Sequence, residues 1–178
     1  MRIIAGQWRG RRLTAPDGVE TRPTADRVRE TLFNMLASRL GSFQGLRVAD
    51  LFAGSGALGF EALSRGAEFA FFVDRASGAV AAIRANARAL GAGDKAQIVQ
   101  CAVESLPGQQ AFNLVLADPP YSAGSGTNAL QSILQSHLVG SGSWVAIESG
   151  RRDPVDPQGL TVEVERDLAK ARLTLLRA

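Results

Sequence analysis

The chain has 178 residues, 46% of them hydrophobic and 21% charged, a composition that suits one soluble globular domain with a full core. A single cysteine, Cys101, excludes an internal disulfide and a cysteine-rich zinc site, and a single histidine, His137, argues against a Ser-His-Asp triad. The apolar stretches are strand-sized, and the start lacks the long apolar segment of a signal peptide, so no membrane contact and a reduced, cytoplasmic setting are expected.

The net charge is +3, but residues 1–12 carry Arg2, Arg9, Arg11 and Arg12 without an acid, a formal +4 that leaves −1 for the rest. This opening reads as two short strands, Arg2–Ala5 and Arg11–Thr14, around a turn at Gly6–Gly10. The result is a basic β-hairpin, with Trp8 between the arginines, suited to RNA phosphates. Residues 1–22 are taken as this extension and 23–178 as the main domain. Pro16-Asp17-Gly18 is turn chemistry. A helix follows, with Thr24 as its expected cap and Val28, Leu32, Met35 and Leu36 on one apolar face.

From residue 47 the pattern alternates. Strands are expected at Arg47–Phe52, Phe69–Val73, Ala96–Gln100, Asn113–Ala117 and Trp144–Glu148. Helices are expected at Ala57–Arg65, Ser77–Leu90 and Asn128–Leu138, the last containing His137. Ser122–Gly126 and Arg151–Gly159 read as loops. The alternation predicts an α/β fold, a parallel sheet wrapped by helices on both faces. Leu160–Glu165 and Ala171–Leu176 end the chain as an antiparallel hairpin.

Two motifs carry chemistry. Gly54-x-Gly56-x-x-Gly59 joins the first strand of the alternation to its helix, and Asp74 ends the next strand 20 residues after Gly54. That spacing fits a dinucleotide site, with the acid on ribose hydroxyls. Asp50, four residues before Gly54, disfavours a pyrophosphate and favours a cationic ligand. The second motif, Asp118-Pro119-Pro120-Tyr121, follows a strand. Two prolines stiffen it, and a carboxylate and an aromatic ring flank them, so it can hold a planar molecule by edge and face.

With Arg2-Ile3-Ile4-Ala5-Gly6, Arg22-Pro23-Thr24, Asp26–Asn34 and Asp50–Gly59, the chain resembles the bacterial small-subunit ribosomal RNA guanine-N2 methyltransferases over nearly its whole length. The resemblance implies a class I, Rossmann-like fold dependent on S-adenosylmethionine, with the N-terminal basic hairpin and the C-terminal hairpin as additions. It implies no metal, and a target guanine in 16S rRNA, guanine 966. Asp50, Phe52, Ala53, Gly54, Ser55 and Gly56 would hold the methionine part of the cofactor. Asp74 and Arg75 would hold the ribose, and Ala102 and Val103 the adenine. Asp118, Pro119, Pro120 and Tyr121 would be catalytic, and Arg2, Trp8, Arg9, Arg11 and Arg12 would contact RNA. The substrate would be the small subunit or its assembly intermediate, ribosomal proteins included, and the enzyme a monomer. Cys101 stands where relatives often carry Asn or Asp, and Leu168-Ala169 where they often show Tyr-Gly. Adenine-N6 methylation of RNA or DNA, a non-catalytic RNA-binding module and a dinucleotide-dependent oxidoreductase are the alternatives.

Overall fold

A computed structural model describes residues 1–16 and 23–178. Seven strands form one sheet: β1 (Arg47–Leu51), β2 (Phe69–Asp74), β3 (Ala96–Gln100), β4 (Phe112–Ala117), β5 (Val139–Gly150), β6 (Thr161–Leu168) and β7 (Ala171–Arg177). Their order is β3-β2-β1-β4-β5-β7-β6. The first five run parallel, and β7 lies antiparallel to both β5 and β6. The expected α/β architecture and terminal hairpin are both present. Helix α1 (Pro23–Leu40) precedes β1, and α2 (Ala57–Ser64), α3 (Ser77–Leu90) and α4 (Ser125–Gln135) connect strands of the sheet. No helix among the described residues is long and apolar enough to cross a membrane.

Parallel strands covered on both faces must be apolar almost throughout. Accordingly β1 is buried from Val48 to Leu51 and β4 from Leu114 to Ala117. One core cluster joins Phe72 and Leu116 of the sheet to Leu32, Phe33 and Leu36 of α1, Phe60 of α2 and Ile83 of α3. The other joins Val73 and Val115 to Leu130 and Ile133 of α4. The expected apolar face of α1 is buried: Val28, Leu32, Met35 and Leu36 all point inward.

The chain opening does form a hairpin, but its ladder is short. Arg2 and Arg12 make a single antiparallel bridge, and the Ile3 N–H donates to the Arg11 carbonyl at 2.9 Å. Ile3 and Leu13 enter the α1-side core cluster. The fully buried Glu61 of α2 clamps the segment, accepting the Ile4 and Ala5 N–H groups at 2.7 and 3.0 Å. Gly6 (φ 83°) lies so close to α2 that a Cβ there would sit 1.8 Å from the Ser64 carbonyl oxygen.

Several boundaries differ from expectation. Helix α1 begins at Pro23, one residue before the expected cap Thr24; proline suits a first helical position, where no N–H is needed. Asp17, Gly18 and the expected boundary after residue 22 lie outside the described residues. Phe52 has left-handed backbone (φ 56°) and leaves β1. Helix α4 starts at Ser125, inside the expected loop, because the Gly124 N–H donates to both Asp153 oxygens at 3.0 Å. It stops at Gln135: His137 turns left-handed (φ 55°), and the Leu138 N–H reaches back to the Ile133 carbonyl at 3.3 Å. Strand β5 is longer than expected because Val139 already pairs with Phe112 across an irregularity before Leu114.

Candidate active site

The strand order reverses at β1, whose neighbours are β2 and β4. Loops after these two neighbours leave in opposite directions, which opens a crevice at the carboxyl ends of the strands. Register decides what lines it. Phe72, Asp50, Leu116 and Ala146 form one row across four strands. Side chains alternate with period two, so the residues two places on project from the same face. They are Asp74, Asp118 and Glu148, whereas Phe52, whose left-handed backbone breaks the alternation, packs against the α4-side core. Four carboxylates, counting Asp50, are thus gathered above the α1-side core.

The loop after β1 is held from below. Asp50 is buried and accepts the Gly59 N–H of α2 at 2.8 Å, supplying the cap that Gly56 has no side chain to give. Asp74 accepts the Gly54 N–H at 2.8 Å through one oxygen and the Ala76 N–H at 2.9 Å through the other. Gly56 is left-handed (φ 77°), and a Cβ there would meet the Phe60 ring at 2.6 Å. At Gly59 a Cβ would meet the Phe72 ring at 2.3 Å. The glycines therefore serve a close helix–strand contact beneath the ligand space. The left-handed Phe52 is costly for a bulky side chain, and such backbone clusters at ligand sites.

Two adjoining cavities share Phe52, Asp118 and Glu148 as a common wall. The larger, about 1300 Å³, is also lined by Asp74, Arg75, Ala102, Val103, Pro119, Pro120 and Tyr121. The smaller, about 200 Å³, is lined by Asp50, Ala53, Gly54, Ser55 and Arg29 among others. Every expected cofactor residue except Gly56 therefore faces one of these spaces, and Gly56 acts as the helix cap behind them. Cys101 packs against the α4-side core, and Ala102 and Val103 line the cavity in its stead.

Electrostatics in the crevice are one-sided. Burial pushes the Asp50 carboxyl well above the usual carboxylate range; the Gly59 N–H opposes this, and the charges of Asp118 and Asp74 add to it. Desolvation, then the charge of Glu148, pushes Asp118 up to about 8. Solvent in the open crevice reaches Asp118 and screens part of that shift. Glu148 is raised by burial and held down by the Tyr121 hydroxyl, which donates to its Oε1. Tyr121 is itself raised, by desolvation and then by that bond, although the residue is 53% exposed. Such a cluster favours a cation.

Sequence reasoning missed Glu148, Arg29 and the C-terminal turn. Glu148 was legible as a strand end, but only the Ala117–Ile147 pairing sets it beside Asp118. Arg29 belongs to an ordinary amphipathic helix pattern. Leu168, Ala169, Lys170 and Ala171, at the β6–β7 turn, reach the larger cavity from more than 90 residues after Asp74. Of the expected RNA contacts, Arg2, Arg9, Arg11 and Arg12 are exposed. Trp8 is half-buried against the α1-side core, and the Arg11 guanidinium donates to the Ala89 carbonyl.

Comparison with known proteins places this architecture. The family described as Conserved hypothetical protein 95 matches residues 1–177. Ribosomal RNA small subunit methyltransferase D of Escherichia coli strain K12 is 42% identical over 151 residues, 84% of this chain and 71% of that protein. The protein of the same name from Haemophilus influenzae is 33% identical over 172 residues, covering 93% and 88%. The solved structure of yhhF from Escherichia coli superposes with a TM-score of 0.83 at 33% identity, over 99% of this chain and 96% of that one.

Proposed function

We propose, from the premise that the chain belongs to the family of ribosomal RNA small subunit methyltransferase D, that it methylates the exocyclic N2 of a guanine in 16S rRNA, guanine 966, using S-adenosylmethionine. The single observation that carries the guanine reading is the side-by-side placement of Asp118 and Glu148 in the same cavity wall. Guanine presents N1–H and N2–H as adjacent donors, which two neighbouring carboxylates accept together. Adenine presents an acceptor at N1, which a carboxylate repels, so this pair disfavours the adenine-N6 alternative.

The donor set fits the cofactor. S-adenosylmethionine supplies an activated methyl group on a sulfonium, and it also carries an ammonium. Asp50, Asp118 and Glu148 line the smaller cavity, and none of the three forms an ion pair among the described residues, which leaves their charge for a cationic ligand. Asp74, with one N–H bond on each oxygen, keeps lone pairs for ribose hydroxyls. Arg75 lies beside it, and Ala102 and Val103 give an apolar seat for adenine. The loop from Phe52 to Gly56 follows the methionine part.

Guanine N2 is a poor nucleophile because its lone pair is delocalised into the ring, so placement matters more than basicity. Asp118 and the Pro119 carbonyl each accept one N2–H, which turns the lone pair toward the methyl group. Orientation of this kind contributes up to roughly 7–11 kcal/mol in ideal intramolecular cases. The proline pair fixes these acceptors. Tyr121, tethered through its hydroxyl, leaves its ring open to stack on the base, worth about 1–3 kcal/mol. After transfer the surplus N2 proton passes to Asp118, whose raised pKa suits the task. The target base must leave its stack to enter the crevice. The exposed Arg2, Arg9, Arg11 and Arg12 hold surrounding phosphates, with Trp8 bracing their hairpin; the substrate is the small subunit or its precursor, ribosomal proteins included, and the enzyme acts as a monomer.

The test is to incubate the protein with labelled S-adenosylmethionine and small-subunit particles that lack the modification, and to map the labelled nucleotide by mass spectrometry. Label on a guanine N2 is expected from the wild type, and almost none from Asp118→Ala even at saturating cofactor. Label on an adenine, or full activity of the variant, refutes the assignment.

A further inference from the structure

The smaller cavity contains a charge pattern that the methyl transfer does not need. Among the described residues its wall carries three acids, Asp50, Asp118 and Glu148, and one basic side chain, Arg29. Arg29 is 5% exposed, and its charge is only partly spent. Nη2 donates to the Arg2 carbonyl at 2.7 Å and to Asp26 at 2.9 Å, which fixes the guanidinium in place. Nη1 faces only the Met1 thioether at 3.8 Å, a weak acceptor. Nε is fully buried and finds no acceptor among the described residues. Nε lies below the cavity surface, and Nη1, held only by the weak thioether acceptor in the cavity wall, is the donor left for a ligand oxygen.

We propose that Arg29 binds the α-carboxylate of the methionine part of the cofactor. Acids opposite a single guanidinium are the complement of an amino-acid zwitterion: Asp50 and its neighbours take the ammonium, and Arg29 takes the carboxylate. The ligand's carboxylate displaces the Met1 thioether, which also touches the Ser55 hydroxyl at 3.0 Å in the same wall. Helix α1 thereby becomes part of the cofactor site, and the Asp26 and Arg2 contacts are what aim Arg29 into it. The inference rests on the cofactor reading above and extends it to a residue outside both sequence motifs.

Calorimetry with S-adenosylmethionine and with its decarboxylated form tests this, because the two ligands differ only in the carboxylate. Wild type should prefer the intact ligand by roughly ten- to a hundredfold, the range of charge-assisted hydrogen bonds. In Arg29→Gln the two ligands should bind alike, with affinity for the decarboxylated form kept within about threefold. Arg29→Lys, which keeps the charge and loses the fork, should retain part of the preference and serves if the glutamine variant fails to fold. A merely structural role for Arg29 would weaken both ligands equally and preserve their ratio, which overturns the proposal. Equal binding of both ligands by wild type overturns it without any variant. Failure of wild type to bind either ligand removes the cofactor reading itself.

Discussion

Glu148→Gln separates the guanine reading from its rivals. The amide keeps one acceptor oxygen for the Tyr121 hydroxyl, so the tether that holds the ring survives. What changes is the other atom, from a carboxylate oxygen to an NH₂ donor, which meets the guanine N1–H head-on. Hydrogen bonds to charged groups are worth roughly 1.5–3 kcal/mol, and each 1.4 kcal/mol is a factor of ten, so kcat/KM should fall about 10- to 150-fold. Cofactor affinity should fall less, since Asp50 and Asp118 remain. The assay is initial-rate methylation of unmodified small-subunit particles, paired with Tyr121→Phe, which removes the tether and keeps the carboxylate. A substrate carrying 2-aminopurine at the target adds a direct check: its N1 is an acceptor, so wild type should reject it and the glutamine variant should accept it. Turnover of the guanine substrate by Glu148→Gln within twofold of wild type refutes the reasoning.

Cofactor binding should release protons. Asp50, Asp118 and Glu148 all have raised pKa values in the free protein, so they hold protons at a pH where ordinary carboxylates have lost them, and a cation draws those protons off. Affinity should therefore rise with pH between the ordinary carboxylate range and about 8, and calorimetry in buffers of different ionisation enthalpy should show net release; none detected counts against the cluster. The same shifts make the free protein lose stability as pH rises through that window, because the folded form binds protons that the unfolded form does not, and thermal melts against pH measure this. Ala169→Gly should stabilise by about 1 kcal/mol, since Ala169 occupies left-handed backbone (φ 53°) at the β6–β7 turn; an unchanged or lower melting temperature contradicts that account. Replacing Arg9, Arg11 and Arg12 together by Ala should flatten the salt dependence of RNA binding, by close to one unit of log–log slope for each phosphate no longer neutralised. An unchanged slope means that the hairpin does not touch RNA.

Much of the architecture was legible because parallel strands buried on both faces must be apolar runs. The expected span at Ala96–Gln100 matches β3, and the one at Ser77–Leu90 matches α3. Less legible were element ends fixed by distant partners: Asp153 pulls the start of α4 back to Ser125, and Phe112 pulls β5 out to Val139. In the candidate site, the glycine loop and Asp118–Tyr121 were visible because each combines unusual residue types at a strand end. Glu148 and Arg29 were not, because an acid ending one strand and an arginine on a helix are common in any soluble domain.

Local sequence by itself determined the alternation of strands and helices, the glycine turn after β1 and the stiff proline corner after β4, since these depend on backbone sterics and on period-two and helical spacing of apolar side chains. Only the tertiary structure decided that Asp50, Asp74, Asp118 and Glu148 share one face of the sheet, and that Arg29 of α1 faces three of them across a small cavity. Strand order and register bring those groups together from across the chain, and neither is encoded within any single segment.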